Sequence, residues 1–409
     1  MSSHKKHSYA LVGALLATAS VAAACGSSGA KSNATNQSNA TNPTTAAGAA
    51  SGSATNAPIK IGMTSSNTGA FPVAGIQASG FMQRYFDKIN SQGGVNGHQI
   101  DFKVLDDGAT ASRATANVQQ LILQDHVQVV TSDGSATSVA IMPILKQNNI
   151  PYLFPQSFES ALINPPQNGV YALFPLYPQQ INTVVKYAYK KLGAGSAVIV
   201  RDDLPVWDSS TSAATQEVQA MGGKVTKVIQ STYTQSDWGS VVLQIQQAHP
   251  DYLILITSGP AAGGLLKAMS QQGVKPGKAS LGIASELSQL TVKAAGGIPD
   301  NTFYGALPGT VAPGGASSAS CQQLWPQEPM EIWGLEGCAQ AAAIVQVFKD
   351  LGDNFSASAI DNLLNNHFGP FKTSYTGTFQ SSPTHLLTNG IGIGTYVNNA
   401  VAPVGSGVQ

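Results

Sequence analysis

From residue 59 onward, short runs rich in β-branched residues alternate with stretches whose apolar side chains recur at three- and four-residue spacing. That alternation predicts βαβ units feeding mostly parallel sheets. The first strand is expected over 59–63. A helix follows a Ser/Thr/Gly/Pro loop, with Met82, Tyr85, Phe86 and Ile89 on one face, stopping at Gly93-Gly94 before a turn at Asn96-Gly97. The cycle repeats as a strand over 100–105, a helix around Val118, Leu121 and Ile122, a strand over 127–131, a helix from Ser135 and a strand over 152–154. These elements make one doubly wound lobe.

The pattern restarts after the proline-rich stretch from Pro165-Pro166 to Pro178. Ile181, Val184, Val185, Ala188, Tyr189 and Leu192 form a single helical stripe. Strands are then expected over 197–200, 224–229, 252–256 and 281–283, with a last one over 302–306 leading into a Gly/Ser/Pro-rich segment ending near Cys321. Beyond it helical patterns dominate over 332–351 and 357–368, before a short β-like tail at 395–397. Helices without strands of their own must pack on a sheet already made. The chain is therefore expected to form lobe 1 from 58–176 and 308–378 and lobe 2 from 177–307 and 379–409. Three crossings between lobes would form a hinge able to close on a ligand.

At 409 residues the chain exceeds what one hydrophobic core usually holds, which agrees with two lobes and a cleft between them. Only 10% of residues are charged, against a usual quarter, and Ser, Thr, Asn and Gln supply the polarity instead. The N-terminus sharpens this picture. Lys5 and Lys6 precede an apolar run over 9–16 that fades into small residues up to Ala24, which reads as a secretory signal over 1–24. The run is shorter than the ~18 apolar residues a membrane span needs. Removing it leaves 19 basic and 21 acidic residues, a net charge of −2 that offers nothing to nucleic acid. Residues 25–57 are almost wholly Ser, Gly, Ala, Thr and Asn and cannot bury enough surface to fold; as a tether they reach roughly 30 Å.

Ala22-Ala23-Ala24-Cys25-Gly26 resembles the lipobox at which bacterial lipoproteins are cleaved and acylated on the new terminal cysteine. The alternative is a plain secretory cleavage site followed by a cysteine. Three cysteines leave one unpaired after any single disulfide, and acylation of Cys25 would remove the odd one. Cys321 and Cys338 then remain as a candidate bridge, 17 positions apart, contributing roughly 3 kcal/mol in the chain-entropy model.

Ile59-Lys60-Ile61-Gly62 with Thr68-Gly69 and Gly75, the run from Ile89 to Gly97, and Asp106-Asp107 resemble the leucine/isoleucine/valine-binding family of ABC-transporter solute receptors. The likeness continues through Ile150-Pro151-Tyr152, Phe174-Pro175 with Gln180, Arg201-Asp202-Asp203, and Leu265-Leu266-Lys267-Ala268-Met269 before Gly273, covering about 58–400. The resemblance implies a type I periplasmic-binding fold with a small solute held between the lobes. It also implies delivery to a membrane permease and its ATPase, on the outer face of a membrane to which Cys25 would anchor the chain. No cofactor and no metal are expected, and the chain is expected to act as a monomer.

The same resemblance gives candidate ligand positions: Ser135, the loop Gln156, Ser157 and Phe158, an aromatic wall at Trp207, and an acid at Glu286. Ser135 would open a helix, where a hydroxyl and free N–H groups serve equally to cap the helix or to bind an anion. Glu286 reads either as a helix-start acid favoured by the dipole or as an ammonium partner. Phe71 and Tyr177 are further candidates for packing or for the ligand wall. Two features depart from the family. Phe158 stands where a hydroxyl is usual, and Asp133 adds negative charge beside the supposed carboxylate site, which disfavours a buried anion. Both favour a neutral or cationic ligand, an amide or amine; an Asp133 turned to solvent would restore an amino acid.

Catalytic signatures are missing from the folded part. The seven histidines are scattered, and neither a nucleophile elbow nor a phosphate loop occurs. The acid pairs Asp106-Asp107 and Asp202-Asp203 sit at expected strand ends, where solvated turns are the ordinary reading. A solute receptor rather than an enzyme is therefore expected, with a ligand sensor on the same fold, or a secreted hydrolase or transferase, as the alternatives.

Overall fold

The computed structural model describes residues 56–69, 71–232, 234–308, 318–373, 378–388 and 390–406. The expected signal over 1–24, Cys25 and most of the tether lie outside them, as does most of the Gly/Ser/Pro-rich segment before Cys321. The strand β1 (Asn56–Ser65) takes in the last two residues of the expected tether.

The first lobe follows in order: α1 (Pro72–Ser91), β2 (His98–Asp106), α2 (Ala111–Leu123), β3 (Val129–Ser132), α3 (Ser135–Gln147), β4 (Tyr152–Leu153) and β5 (Val170–Tyr171). Its five strands are all parallel, in the order β2-β1-β3-β4-β5. The second lobe comprises α4 (Tyr177–Leu192), β6 (Ser196–Asp202), α5 (Asp208–Ala220), β7 (Lys224–Ser231), α6 (Gly239–Ala248), β8 (Tyr252–Ile256), α7 (Gly259–Gln271), β9 (Ala279–Gly282), α8 (Gln289–Ala295) and β10 (Phe303–Pro308). After it come α9 (Ala319–Gln322), α10 (Ile332–Leu351), α11 (Ala357–Asn366), a two-stranded ribbon of β11 (Phe371–Lys372) and β12 (Thr378–Phe379), and finally β13 (Ile391–Val397) and β14 (Ala400–Ser406). β13 pairs antiparallel with β10, and β14 antiparallel with β13, so the second sheet has seven strands, β14-β13-β10-β9-β8-β6-β7.

α10 joins the first lobe's core, where Leu335, Ala339 and Phe348 share a buried cluster with Ile59, Ile61 and Phe81. Close approach depends on small residues: a Cβ at Gly337 would lie 2.6 Å from the Ala78 carbonyl of α1, and one at Gly334 would lie 2.7 Å from the Phe81 ring. A Cys321–Cys338 disulfide ties the segment before α10 to that helix. The return to the second lobe comes later than 378. Phe379 and Leu387 pack in the first lobe's core, Leu386 bridges to Ala172, and the second sheet is rejoined at β13.

Both sheets carry a point where successive connections depart in opposite directions, between β1 and β3 in the first and between β6 and β8 in the second. Such points leave a crevice beyond the carboxyl ends of the strands. The two crevices face one cavity. No helix among the described residues is long and apolar enough to cross a membrane.

Candidate functional site

The cavity between the lobes measures about 460 Å³, within the range of small-molecule sites. The first lobe contributes Ser66 and Phe71 after β1, residues 108–110 after β2, residues 133–137 after β3, Gln156 and Phe158, and Trp333 from α10. The second contributes Tyr177, then Leu204, Val206 and Trp207 after β6, Thr257 and Ser258 after β8, and Ser285. The wall is largely aromatic and aliphatic. Phe71 meets Trp333 edge-on at 5.0 Å, Phe158 lies 5.0 Å from Tyr177, and Tyr177 lies 4.8 Å from Trp207.

Seven of the nine residues singled out in the sequence line this cavity: Phe71, Asp133, Ser135, Gln156, Phe158, Tyr177 and Trp207. Ser157 and Glu286 do not. Ser157 is buried with its hydroxyl unpartnered. Glu286 ends a short 3-10 turn before α8 and lies behind the wall, where Oε1 accepts the Thr257 N–H at 3.0 Å. It is thus neither the first acid of an α-helix nor a residue on the cavity surface. Ser135 is not a helix cap either. Gly134, at φ +81°, holds the cap position, and the Ser135 hydroxyl reaches the Phe158 N–H and the Tyr177 hydroxyl, both at 3.4 Å.

Asp133 is buried and turned away from solvent, but it is not unpaired. One carboxylate oxygen accepts the Ser66 N–H at 2.8 Å and the other accepts the Ser66 hydroxyl. Burial still raises its pKa against these hydrogen bonds. Asp107, behind it, is matched at both oxygens, by the Thr64 hydroxyl at 2.9 Å and the Ala109 N–H at 2.8 Å. Burial, then the neighbouring Asp133, push it up to about 6.

The second-lobe acids are only half matched. Glu286 Oε2 and Asp202 Oδ2 are buried without partners. Burial raises Glu286 well above its ordinary value and pushes Asp202 up to about 7. On α10, Glu336 is buried with Oε2 unpartnered, and burial holds it protonated well above the usual carboxylate range.

Two unmatched groups belong to residues on the wall itself: the acceptor Gln156 Oε1 and the donor Trp207 Nε1. The Gln156 amide nitrogen is already committed, to the Trp333 carbonyl and Gln340 Oε1, both at 3.2 Å. No lysine, arginine or histidine lines the cavity among the described residues. No group of three or more His, Cys, Asp or Glu among them is arranged to hold a metal ion.

Sequence reasoning missed Trp333, Ser66, Thr257 and Ser285. Ser66 and Thr257 directly follow β1 and β8, so strand ends beside the two crevices are the signal that would have found them. Trp333 carries no local signal, because only the packing of α10 brings it to the cavity.

The Periplasmic binding protein family model matches residues 58–400, nearly the whole described chain. This chain belongs to that family. Among curated relatives of this periplasmic binding protein, an amino acid binding protein from Pseudomonas aeruginosa is 22% identical over 53% of this chain and 59% of its own length. The chain thus spans little more than half the length of the curated relatives it matches. Among solved structures, a branched-chain amino acid ABC transporter protein from Thermus thermophilus with bound valine superposes with a TM-score of 0.77, at 16% identity over 87% of this chain and 97% of its own. A solute-binding protein of an ABC transporter from R. palustris in complex with benzoate gives 0.73, at 18% identity over 85% and 96%. At such identities the likeness is one of fold. It agrees with the type I periplasmic-binding architecture of two lobes about a cleft.

Proposed function

We propose that this periplasmic binding protein is an extracytoplasmic solute receptor of an ABC transporter. It closes its two lobes around a small solute with an aromatic or branched apolar body and a neutral amide or cationic amine head, and delivers it to a membrane permease. The observation that carries the reading is the wall of the cavity: aromatic rings from both lobes, an acid, no basic side chain, and one acceptor and one donor left unmatched. A primary amide has the complementary pair, N–H for Gln156 Oε1 and C=O for Trp207 Nε1, and meets them when lobe closure or a side-chain turn brings these two buried atoms to the cavity surface. Buried unmatched polar groups cost about 1–3 kcal/mol each, so a ligand that satisfies them gains selectivity over one that cannot. A carboxylate would instead enter an apolar site beside Asp133 with no cation to pair it.

The exported, membrane-anchored location rests on the leader, Cys25 and tether read from the sequence, and the family's solute-receptor members support the partners. Thermal shift with matched compounds tests the ligand class: benzamide, phenethylamine, leucine, phenylalanine and benzoate. A ligand at 100 times its dissociation constant adds about 2.7 kcal/mol of stability. The amide and amine are expected to raise the melting temperature and benzoate is not. Stabilisation by benzoate alone would sink the reading. Small-angle scattering with a stabilising ligand should show a smaller radius of gyration; an unchanged radius would contradict lobe closure.

A further inference from the structure

The cleft has a second compartment beside it. A groove of about 760 Å³ runs along one face of α7, from residues 234–239 to Gln271 and Gln272. It shares Phe71 and Ser258 with the cleft, so the two spaces meet at those residues. Phe71, braced by Trp333, stands as the partition between them.

The compartments differ in chemistry. The cleft is walled by rings, whereas the groove sets polar side chains around one indole, that of Trp238. Gly264 leaves room for that indole: a Cβ there would lie 2.9 Å from Trp238 Nε1. Of the two charged residues in the groove, Asp237 is engaged, its carboxylate accepting the Gly239 N–H at 2.9 Å. Lys267 is exposed and has no hydrogen bond or ion pair among the described residues. The groove therefore offers amide groups, an indole edge and one free positive charge. It is also larger than the cleft, so a compact solute held in the cleft would leave the groove to water.

We propose that the solute is longer than the cleft. Its apolar, amide-bearing head occupies the cleft, and a polar tail passes Phe71 into the groove, where a terminal carboxylate meets Lys267. This rests on the reading of the cleft as a site for an amide-headed aromatic solute, and the test separates the two. Calorimetric titration would compare benzamide with N-benzoylglycine, N-benzoyldiglycine and N-benzoyltriglycine, each extended residue adding about 3.5 Å of reach, and with their carboxamide-capped forms. Affinity is expected to rise at least tenfold from benzamide to the best-fitting tail. Capping that tail, or Lys267→Gln, should each cost about fivefold, the scale of one solvent-exposed ion pair, while the Kd for benzamide stays unchanged in Lys267→Gln. Benzamide binding with no gain from any tail overturns the extension and leaves the cleft reading standing. A gain that is indifferent to capping and to Lys267→Gln overturns the role of Lys267. Failure of every compound, benzamide included, overturns both.

Discussion

The two lobes build the same cleft by different means. In the first, the acids nearest the cavity are saturated: Asp133 by Ser66, and Asp107 by Thr64 and Ala109. The lobe itself is stitched from distant parts of the chain, with α10 laid on α1 and held by a disulfide and by Trp325, whose ring packs on Gly80 and under Arg84 at 3.7 Å. In the second lobe the sheet is longer and closes with two antiparallel strands, and its described residues carry no disulfide. Yet Asp202, Glu286 and Trp207 each keep one polar atom unmatched. Each lobe thus leaves one wall group unmatched, Gln156 Oε1 in the first and Trp207 Nε1 in the second, and the contrast lies in the acids at the strand ends: Asp133 and Asp107 are saturated, whereas Asp202 and Glu286 are half matched.

The staple offers the largest way to break this comparison. Replacing both Cys321 and Cys338 with alanine is expected to cost about 3 kcal/mol, the loop entropy of a 17-residue closure. Hydrogen exchange should quicken over 318–351 and α1 and stay unchanged in the second lobe. Equal loss of protection in both lobes would show that the staple does not act on one lobe alone. Next, Trp207→Ala removes a cleft wall and the unmatched donor together. Benzamide affinity should fall about thirtyfold, the scale of a buried aromatic hot spot, alongside a lower unliganded melting temperature, because the ring also packs in the second lobe's core; an affinity within threefold of the parent, measured at a temperature where the variant is folded, would remove Trp207 from the site.

A smaller effect comes from Asp202. Its carboxyl stays protonated in the fold up to about pH 7, whereas in the unfolded chain it ionises near its ordinary value of about 4. The folded state therefore binds more protons across that window. Stability falls as pH rises from about 4 to about 7 and levels off above. Asp202→Asn should flatten that decline and raise the melting temperature at pH 8. A pH profile identical to the parent's would contradict the protonated state. The smallest change expected is from Ser66→Ala, which strips Asp133 of its hydroxyl partner, lowers stability by about 1 kcal/mol in urea titration, and tightens phenethylamine severalfold by freeing an acceptor. Unchanged amine binding would mean that Asp133 does not face the ligand.

The same contrast explains what could be read in advance. The strand and helix alternation was legible because each element's apolar pattern is local, and α10 appears over the residues its pattern gave, 332–351. The two-residue strand β5 and the return past residue 378 depend on tertiary pairing, which no short pattern encodes. At the site, Asp133 at the end of β3 and Trp207 in the connection after β6 were accessible from the sequence. Their environments were not, since the partner of Asp133 lies 67 residues away on another strand end. Ser135 was read as a possible cap because a serine before an apolar run ordinarily is one; the left-handed Gly134 takes that position and frees the hydroxyl to reach across to Tyr177.

The central claim is that this cleft prefers a neutral amide to a carboxylate on the same aromatic body. Calorimetric titration of benzamide against benzoate at pH 7 tests it most directly. Benzamide is expected to bind at least tenfold more tightly, with a negative heat-capacity change from apolar burial. Benzoate binding as tightly as benzamide, or more so, would contradict it.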